Sequence, residues 1–253
     1  MTIEHPTEAN RAVLRLLWKE AFGDEDDFLD LFFSTAFHPE RCLCALSEEE
    51  PVAAVYWFDC TLRGEKIAYL YALATFRSHQ GRGIARRLLD RAHALLKERG
   101  YKATLLVPGS RSLASWYGTM DYRFCGGFRE FSCEAAPEAA ALRPLTAEEY
   151  GALREQYLPE GSVIHGRAAL DFLAGQARLY AGDRCLLAVQ TTIYGTVVIP
   201  EFLGSPAEAP GVLAALGHPK ASFRTPGDGS SLAMLRPLSH LALWPSYFAF
   251  AFD

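Results

Sequence analysis

The chain has 253 residues, 50% of them hydrophobic, and a formal net charge of −5. No apolar run reaches the ~18 residues of a membrane span, and the N-terminus lacks a basic-then-apolar leader, so the expected compartment is the cytoplasm. Residues 1–133 carry 17 basic and 18 acidic groups and residues 134–253 carry 8 and 12, a balance that argues against a nucleic-acid footprint.

In chain order, Glu8–Phe22 and Asp24–Phe37 read as two amphipathic helices broken at Gly23, with Asp24, Glu25, Asp26 and Asp27 favourable at the start of the second. Arg41–Leu46 and Val52–Leu62 read as strands around the polar turn Glu48–Pro51. Arg63-Gly64 then turns into a third strand, Lys66–Thr75. The six cysteines (Cys42, Cys44, Cys60, Cys125, Cys133, Cys185) are scattered through apolar segments without C-x-x-C pairs. That pattern predicts buried free thiols rather than disulfides or a metal site.

The third strand runs into Gln80-Gly81-Arg82-Gly83-Ile84-Ala85, and Ala85–Gly100 follows as a helix with Leu88, Leu89, Ala92, Leu95 and Leu96 on one face. Two glycines before a helix N-terminus leave backbone N–H groups pointing outward at the positive end of the helix dipole, a cradle for pyrophosphate. The Walker pattern fails, since no Gly-Lys-Ser/Thr follows. The dinucleotide pattern G-x-G-x-x-G fails because Arg86 stands where its third glycine would be. A second apolar run, Ala103–Val107, comes next, and then Leu113–Arg123, a short helix carrying Tyr117 and turning into a strand.

Gln80, Gly83 and Ala85 match Q/R-x-x-G-x-G/A, and Leu113–Arg123, carrying Tyr117, looks like an A-x-x-x-Y-x-x-x-G-F segment, in reading order with the strands around them. The chain thus resembles the GNAT superfamily of acyl-CoA-dependent N-acyltransferases. That resemblance implies a mixed α/β (α+β) fold, a mostly antiparallel sheet flanked by helices. It implies acetyl-CoA as cosubstrate with no metal, and an amine of a small molecule or peptide as acceptor. Leu73, Ala74 and Thr75 would meet pantetheine, and Gln80, Gly81, Arg82, Gly83, Ile84 and Ala85 would hold the pyrophosphate. Tyr117 would protonate the leaving thiolate. Asp121-Tyr122 departs from the family's Gly-Phe, although aspartate tolerates a left-handed turn. No carboxylate lies on Tyr69–Leu73, so the general base is left among Asp59, His79, Glu201 and the terminal carboxylate. A non-catalytic acyl-CoA sensor is the alternative. A resemblance to tRNA-dependent aminoacyl transferases is disfavoured by the acidic surface and the intact cradle.

Residues 134–142 read as an alanine-rich linker, giving an acyltransferase domain at 1–133 and a second domain at 143–253. The second domain has helices over Thr146–Tyr157 and Arg167–Tyr180. Arg184–Val189 then echoes Arg41–Leu46 at an offset of 143, which suggests a diverged copy of the same fold in tandem. Its connection Phe202–Ala209 has one glycine and two prolines, which offer no N–H, so this copy is expected not to bind CoA. The chain ends in the aromatic alternation Tyr247–Asp253, read as a strand.

Overall fold

A computed structural model describes residues 1–192 and 195–248. Contacts divide them into two compact units, Met1–Leu106 with Arg236–Leu241, and Val107–Leu235 with the segment from Ala242 onward. The 134–142 segment lies inside the second unit.

The first unit contains β1 (Thr2–Glu4), α1 (Arg11–Phe22), α2 (Asp26–Thr35), β2 (Cys42–Ser47), β3 (Glu50–Leu62), β4 (Glu65–Thr75), α3 (Ile84–Glu98) and β5 (Ala103–Leu106). Gly23, at φ +78, ends α1 in the left-handed conformation that glycine adopts without a Cβ penalty. Strands β1 to β4 pair antiparallel in sequence order, and β5 joins β4 in parallel. Strand β3 is buried continuously from Val52 to Phe58, because α1 contacts the sheet at β3 and β4 while α3 contacts β2, β3 and β4. A strand covered on both faces reads as an unbroken apolar run rather than an alternating one. Trp18 of α1 and Phe32 of α2 pack on Tyr56 of β3, with ring centroids 5.3 Å away in each case. Each such fully buried side chain contributes about 1.5–3 kcal/mol.

The second unit contains α4 (Arg111–Gly118), β6 (Arg123–Glu134), β7 (Arg143–Pro144), α5 (Ala147–Tyr157), β8 (Ile164–His165), α6 (Arg167–Ala174) and β9 (Arg178–Ala181). It continues with β10 (Cys185–Thr191), β11 (Val197–Gly204), α7 (Ala209–Leu216), β12 (Lys220–Pro226) and β13 (Ser230–Pro237), the last two residues of which fall in the first unit. Its strands lie in the order β13-β6-β12-β11-β10-β9-β7. The helix expected over Arg167–Tyr180 stops at Ala174. Gly175 interrupts it, and Leu179 and Tyr180 are taken into a ladder opposite Ala188 and Leu187. The sequence reading did not anticipate β13. Tyr247 makes an isolated parallel bridge with Ser162, whereas residues 249–253 of the expected terminal strand lie outside the described residues.

From α5 to β12 the second unit repeats the element order of α1 to β5, two helices, three antiparallel strands, a helix and a parallel strand, with the two-residue β8 added between its helices. The pairing register sets the correspondence. Ala54 faces Ala74 and Tyr56 faces Tyr71, so Ala72 and Leu73 oppose Val55 alone. Ala188 faces Glu201 and Gln190 faces Val198, so Ile199 and Pro200 oppose Val189 alone. The same one-residue bulge interrupts β4 and β11. It aligns Ala54-Val55 with Ala188-Val189, so β10 takes the place of β3. The echo of Arg41–Leu46, which set β10 beside β2, does not follow the topology.

One residue beyond its bulge, the second unit buries a charge. Glu201, fully buried, accepts from Arg154 Nε at 2.7 Å and Nη2 at 2.9 Å. It also accepts from the hydroxyls of Tyr150 at 2.8 Å and Tyr247 at 3.0 Å. Burial, and then the Glu201 charge, pushes both phenols well above their ordinary range and keeps them donors. Removing one partner of such a pair leaves the other charge uncompensated. Glu201→Ala should therefore cost about 3–5 kcal/mol of stability, read from the guanidinium unfolding midpoint, and Glu201→Gln should cost less. A loss below ~1 kcal/mol for Glu201→Ala would mean that the pair behaves like a solvated one.

Candidate active site

The parallel ladder between β4 and β5 covers only Ile67↔Ala103, Ala68↔Thr104 and Tyr69↔Leu105. Strand β4 continues to Thr75 whereas β5 ends at Leu106, so the two part over the stretch that holds Leu73, Ala74 and Thr75. The bulge lies at the same place. Ala72 sits at φ +49, a left-handed conformation costing a non-glycine residue roughly 1–2 kcal/mol. The extra residue disrupts the ladder only locally, since Ala74 and Thr75 pair again with Ala54 and Ala53, and the strand edge beyond the end of the β5 ladder is left available to a ligand.

Beyond Thr75 the chain is pinned twice. The Thr75 carbonyl accepts from Gln80 Nε2 at 3.0 Å, and the Arg77 N–H donates to Glu20 Oε1 of α1 at 2.6 Å. A short 3₁₀ turn, Arg77–His79, leads into Gln80. Gly81 and Gly83 take φ +73 and +70, and a Cβ added at Gly81 would meet nothing within 4 Å. Gly83 is the N-cap of α3 and supplies no side chain to the first-turn N–H groups, which in any helix lack intrahelical acceptors. An anion is their natural partner. Arg82 Nη2 reaches back to the Ser78 carbonyl at 3.0 Å, Arg86 pairs with Asp90 at 3.5 Å, and the Arg87 guanidinium stands 3.7 Å from the Gly83 Cβ position. Gln80 thus shapes the turn through its side chain, while Gly81 to Ala85 present backbone.

Farther along the same helix His93 is buried and meets Arg236 Nη1 at 2.6 Å. Burial, with Arg236 and Arg86 nearby, lowers this imidazole to about 3 and keeps it neutral. Sequence reasoning missed this contact, because Arg236 lies 143 residues away.

In the second unit, Ser110 caps α4 by accepting from the Leu113 N–H at 3.2 Å. Tyr117 is 7% exposed on that helix, with its ring centroid 4.9 Å from Trp116 and 5.6 Å from Tyr122. Burial pushes its phenol up to about 12. The hydroxyl therefore stays protonated at neutral pH, the state a proton donor requires. Asp121 takes φ +64, so the left-handed turn survives without the family's glycine.

The four base candidates are placed differently. Asp59 accepts a short hydrogen bond from Tyr101 and pairs with Arg41 at 3.4 Å. It faces Ala68, five residues before Leu73 and about 16 Å from it along the strand. His79 belongs to the turn ahead of the cradle and bonds the Ser78 hydroxyl at 2.9 Å. Glu201 is consumed by Arg154. The terminal carboxylate lies outside the described residues. Among the described residues no cluster suited to a metal ion is found, and no helix is long and apolar enough to cross a membrane.

The sequence matches the acetyltransferase (GNAT) domain family over residues 3–125, and no curated protein matches it. The fold aligns with a GCN5-related N-acetyltransferase from Anabaena variabilis ATCC 29413 at TM-score 0.75 and 14% identity, over 94% of this chain and 73% of that one. A GCN5-related N-acetyltransferase from Kribbella flavida aligns at TM-score 0.70 and 17% identity, over 93% and 70%. Eis1 from Mycobacterium abscessus aligns at 0.67 and 12%, over 94% and 74%. These are likenesses of fold. The matched segment contains the bulged strand, the parting of β4 from β5 and the glycine turn, and residues 3–125 are the part of the chain that matches the GNAT acetyltransferase domain.

Proposed function

We propose that the chain transfers an acetyl group from acetyl-CoA to a primary amine of a small molecule or peptide, and that it binds one CoA, in its first unit. The observation that carries this reading is the coincidence on one strand of a bulge, a lost ladder partner and a glycine-capped helix start. Leu73, Ala74 and Thr75 offer backbone groups to the pantetheine amides, and one N–H there polarises the thioester carbonyl as it becomes an oxyanion. Gly81 to Ala85 hold the pyrophosphate, and Arg82 and Arg86 add positive charge at the rim. Tyr117 supplies the proton to the departing thiolate. The acceptor must arrive neutral, and a lysine-like amine of pKa ~10.4 is only about one part in a thousand neutral at pH 7. Its proton leaves through water, since Asp59 and Glu201 are engaged by Arg41 and Arg154.

The second unit has the bulge, but its described residues differ in the strand end and the turn that follow. At its bulge Pro200 occupies the place of Leu73 and has no N–H to donate. Its ladder with β12 runs to the bulge residue Ile199, where that of β4 stops at Tyr69. Ahead of α7 stands a Ser205-capped turn with Pro206, and Pro210 follows in the first turn of the helix.

Three measurements bear on this. Gly83→Glu places a carboxylate and a strained residue in the cradle, and acetyl-CoA affinity should fall by roughly 10²-fold or more. Gly83→Ala, which adds strain alone, should lose less. Equal affinity for wild type and the Glu variant in calorimetric titration would overturn the cradle. The same titration on wild type should give one CoA per chain, and a stoichiometry of two would mean that Pro200 and the proline-bearing turn do not close the second site. Tyr117→Phe should lower kcat by ~10²–10⁴-fold and leave the acetyl-CoA Kd within roughly threefold, because the proton is delivered only in the transition state. With the phenol at about 12, wild-type activity should show no basic limb from this group below pH ~11. Full turnover by the Phe variant would remove Tyr117 from the chemistry.

A further inference from the structure

One short stretch of α1 touches both flanks of the strand segment assigned to the thioester. Trp18, near the corner where α1 gives way to α2, is 2% exposed and packs on the Tyr71 ring at 5.7 Å. Tyr71 is the residue immediately before the bulge, and it pairs with Tyr56, whose ring lies 5.3 Å from the same indole. Two residues along α1, Glu20 Oε1 accepts from the Arg77 N–H at 2.6 Å. Between these two contacts run Ala72 to Phe76, the stretch that carries Leu73, Ala74 and Thr75. The Phe76 N–H returns to the Val52 carbonyl at 3.0 Å, which ties the strand end to β3.

Within the turn the bonds are local. Gln80 Nε2 reaches the Thr75 carbonyl, the His79 N–H donates to the Phe76 carbonyl at 2.8 Å, and Arg82 returns to the Ser78 carbonyl. Such bonds fold the turn without setting the angle at which it leaves the strand. Glu20 sets that angle from outside, on a helix that Trp18 anchors in the core. Glu20 and Arg77 are both exposed, so the bond shields no buried group. A ligand that joins two contact sites gains from the second only when its own span matches their separation. CoA is such a ligand, with pantetheine at the strand end and pyrophosphate at the turn. Charge alone argues the other way, since a carboxylate close to an anion site weakens anion binding and its removal would strengthen it.

We propose that Glu20 is a positioning residue for the cosubstrate, and that its hydrogen bond to the Arg77 N–H sets the separation between the pantetheine segment and the pyrophosphate turn. Glu20 touches no part of CoA. It acts through the backbone it holds, so only ligands that span both sites depend on it. What it contributes is reach and an acceptor oxygen, not charge. The proposal rests on the CoA-binding reading above and adds α1 to the elements that shape that site.

The test separates reach from charge and a spanning ligand from a partial one. Glu20→Asp keeps the charge and shortens the side chain by one methylene, whereas Glu20→Gln keeps the length and an acceptor oxygen and removes the charge. Affinity for CoA is read by calorimetric titration. Affinity for 3′-phospho-ADP, the nucleotide half of CoA with no pantetheine, is read by competition against CoA. Glu20→Asp should raise the CoA Kd by at least ~10-fold and leave that of 3′-phospho-ADP within about threefold. Glu20→Ala should match Glu20→Asp, and Glu20→Gln should stay within about threefold of wild type for both ligands. An unchanged or tighter CoA Kd in Glu20→Asp or Glu20→Ala would overturn this inference and leave the cosubstrate reading standing. Equal losses for the two ligands would overturn it as well, by placing the effect in the turn itself. So would a loss in Glu20→Gln as large as that in Glu20→Asp. A wild-type chain that binds no CoA would overturn the cosubstrate reading and this inference with it.

Discussion

The one-residue bulge in β4 is the constraint on which the site depends. Up to Tyr69 the strand is an ordinary member of a ladder, with antiparallel β3 on one side and parallel β5 on the other. Ala72 and Leu73 then share a single partner, Val55, and Ala72 accepts a left-handed backbone that alanine does not favour. Such strain persists only where surrounding structure over-determines it. Here β3 continues beyond the bulge to pair Ala54 with Ala74 and Ala53 with Thr75, so the strand is held on both sides of its irregularity. Backbone groups that would have satisfied β5 are left for another partner.

That geometry is extended into the cradle by side chains that contact no ligand themselves in this reading. Gln80 holds the Thr75 carbonyl, and Glu20 holds the Arg77 N–H from 57 residues away. The distance between the strand end and the glycine turn is therefore fixed by two hydrogen bonds rather than by the loop alone. A loop pinned in this way has little conformational entropy left to lose when an anion arrives, which is how preorganisation improves binding.

The second unit has the same bulge with its chemistry inverted. Pro200 removes a donor, and the next residue, Glu201, corresponds in register to Ala74. Its carboxylate is fully buried and satisfied by Arg154, Tyr150 and Tyr247. A carboxylate so engaged is unavailable as a base. The bulge is retained where the proposed ligand-binding role is not, consistent with β11 needing it to remain packed.

The glycine turn was legible in the sequence because the conformation of a helix start is a local property. Gly81 and Gly83 supply positive φ, and the helix beginning at Ile84 supplies the N–H groups, all within a few residues. The turn at Asp121 was legible for the same reason. The bulge was not, since nothing in Tyr71-Ala72-Leu73 marks it and only the register with β3 creates it. The ends of α6 and the identity of β9 depended likewise on a ladder with β10, which outweighed the helical spacing of Arg167–Tyr180. The order of elements in the second unit was legible in part, yet the echo of Arg41–Leu46 set β10 one strand away from its place, because short apolar echoes carry no register. Sequence by itself determined the glycine turn and the GNAT-domain resemblance of residues 3–125. Tertiary structure decided where β4 leaves β5, which carboxylates are spent, and which rings gather at the α1–α2 corner, because each depends on residues tens to more than a hundred positions apart.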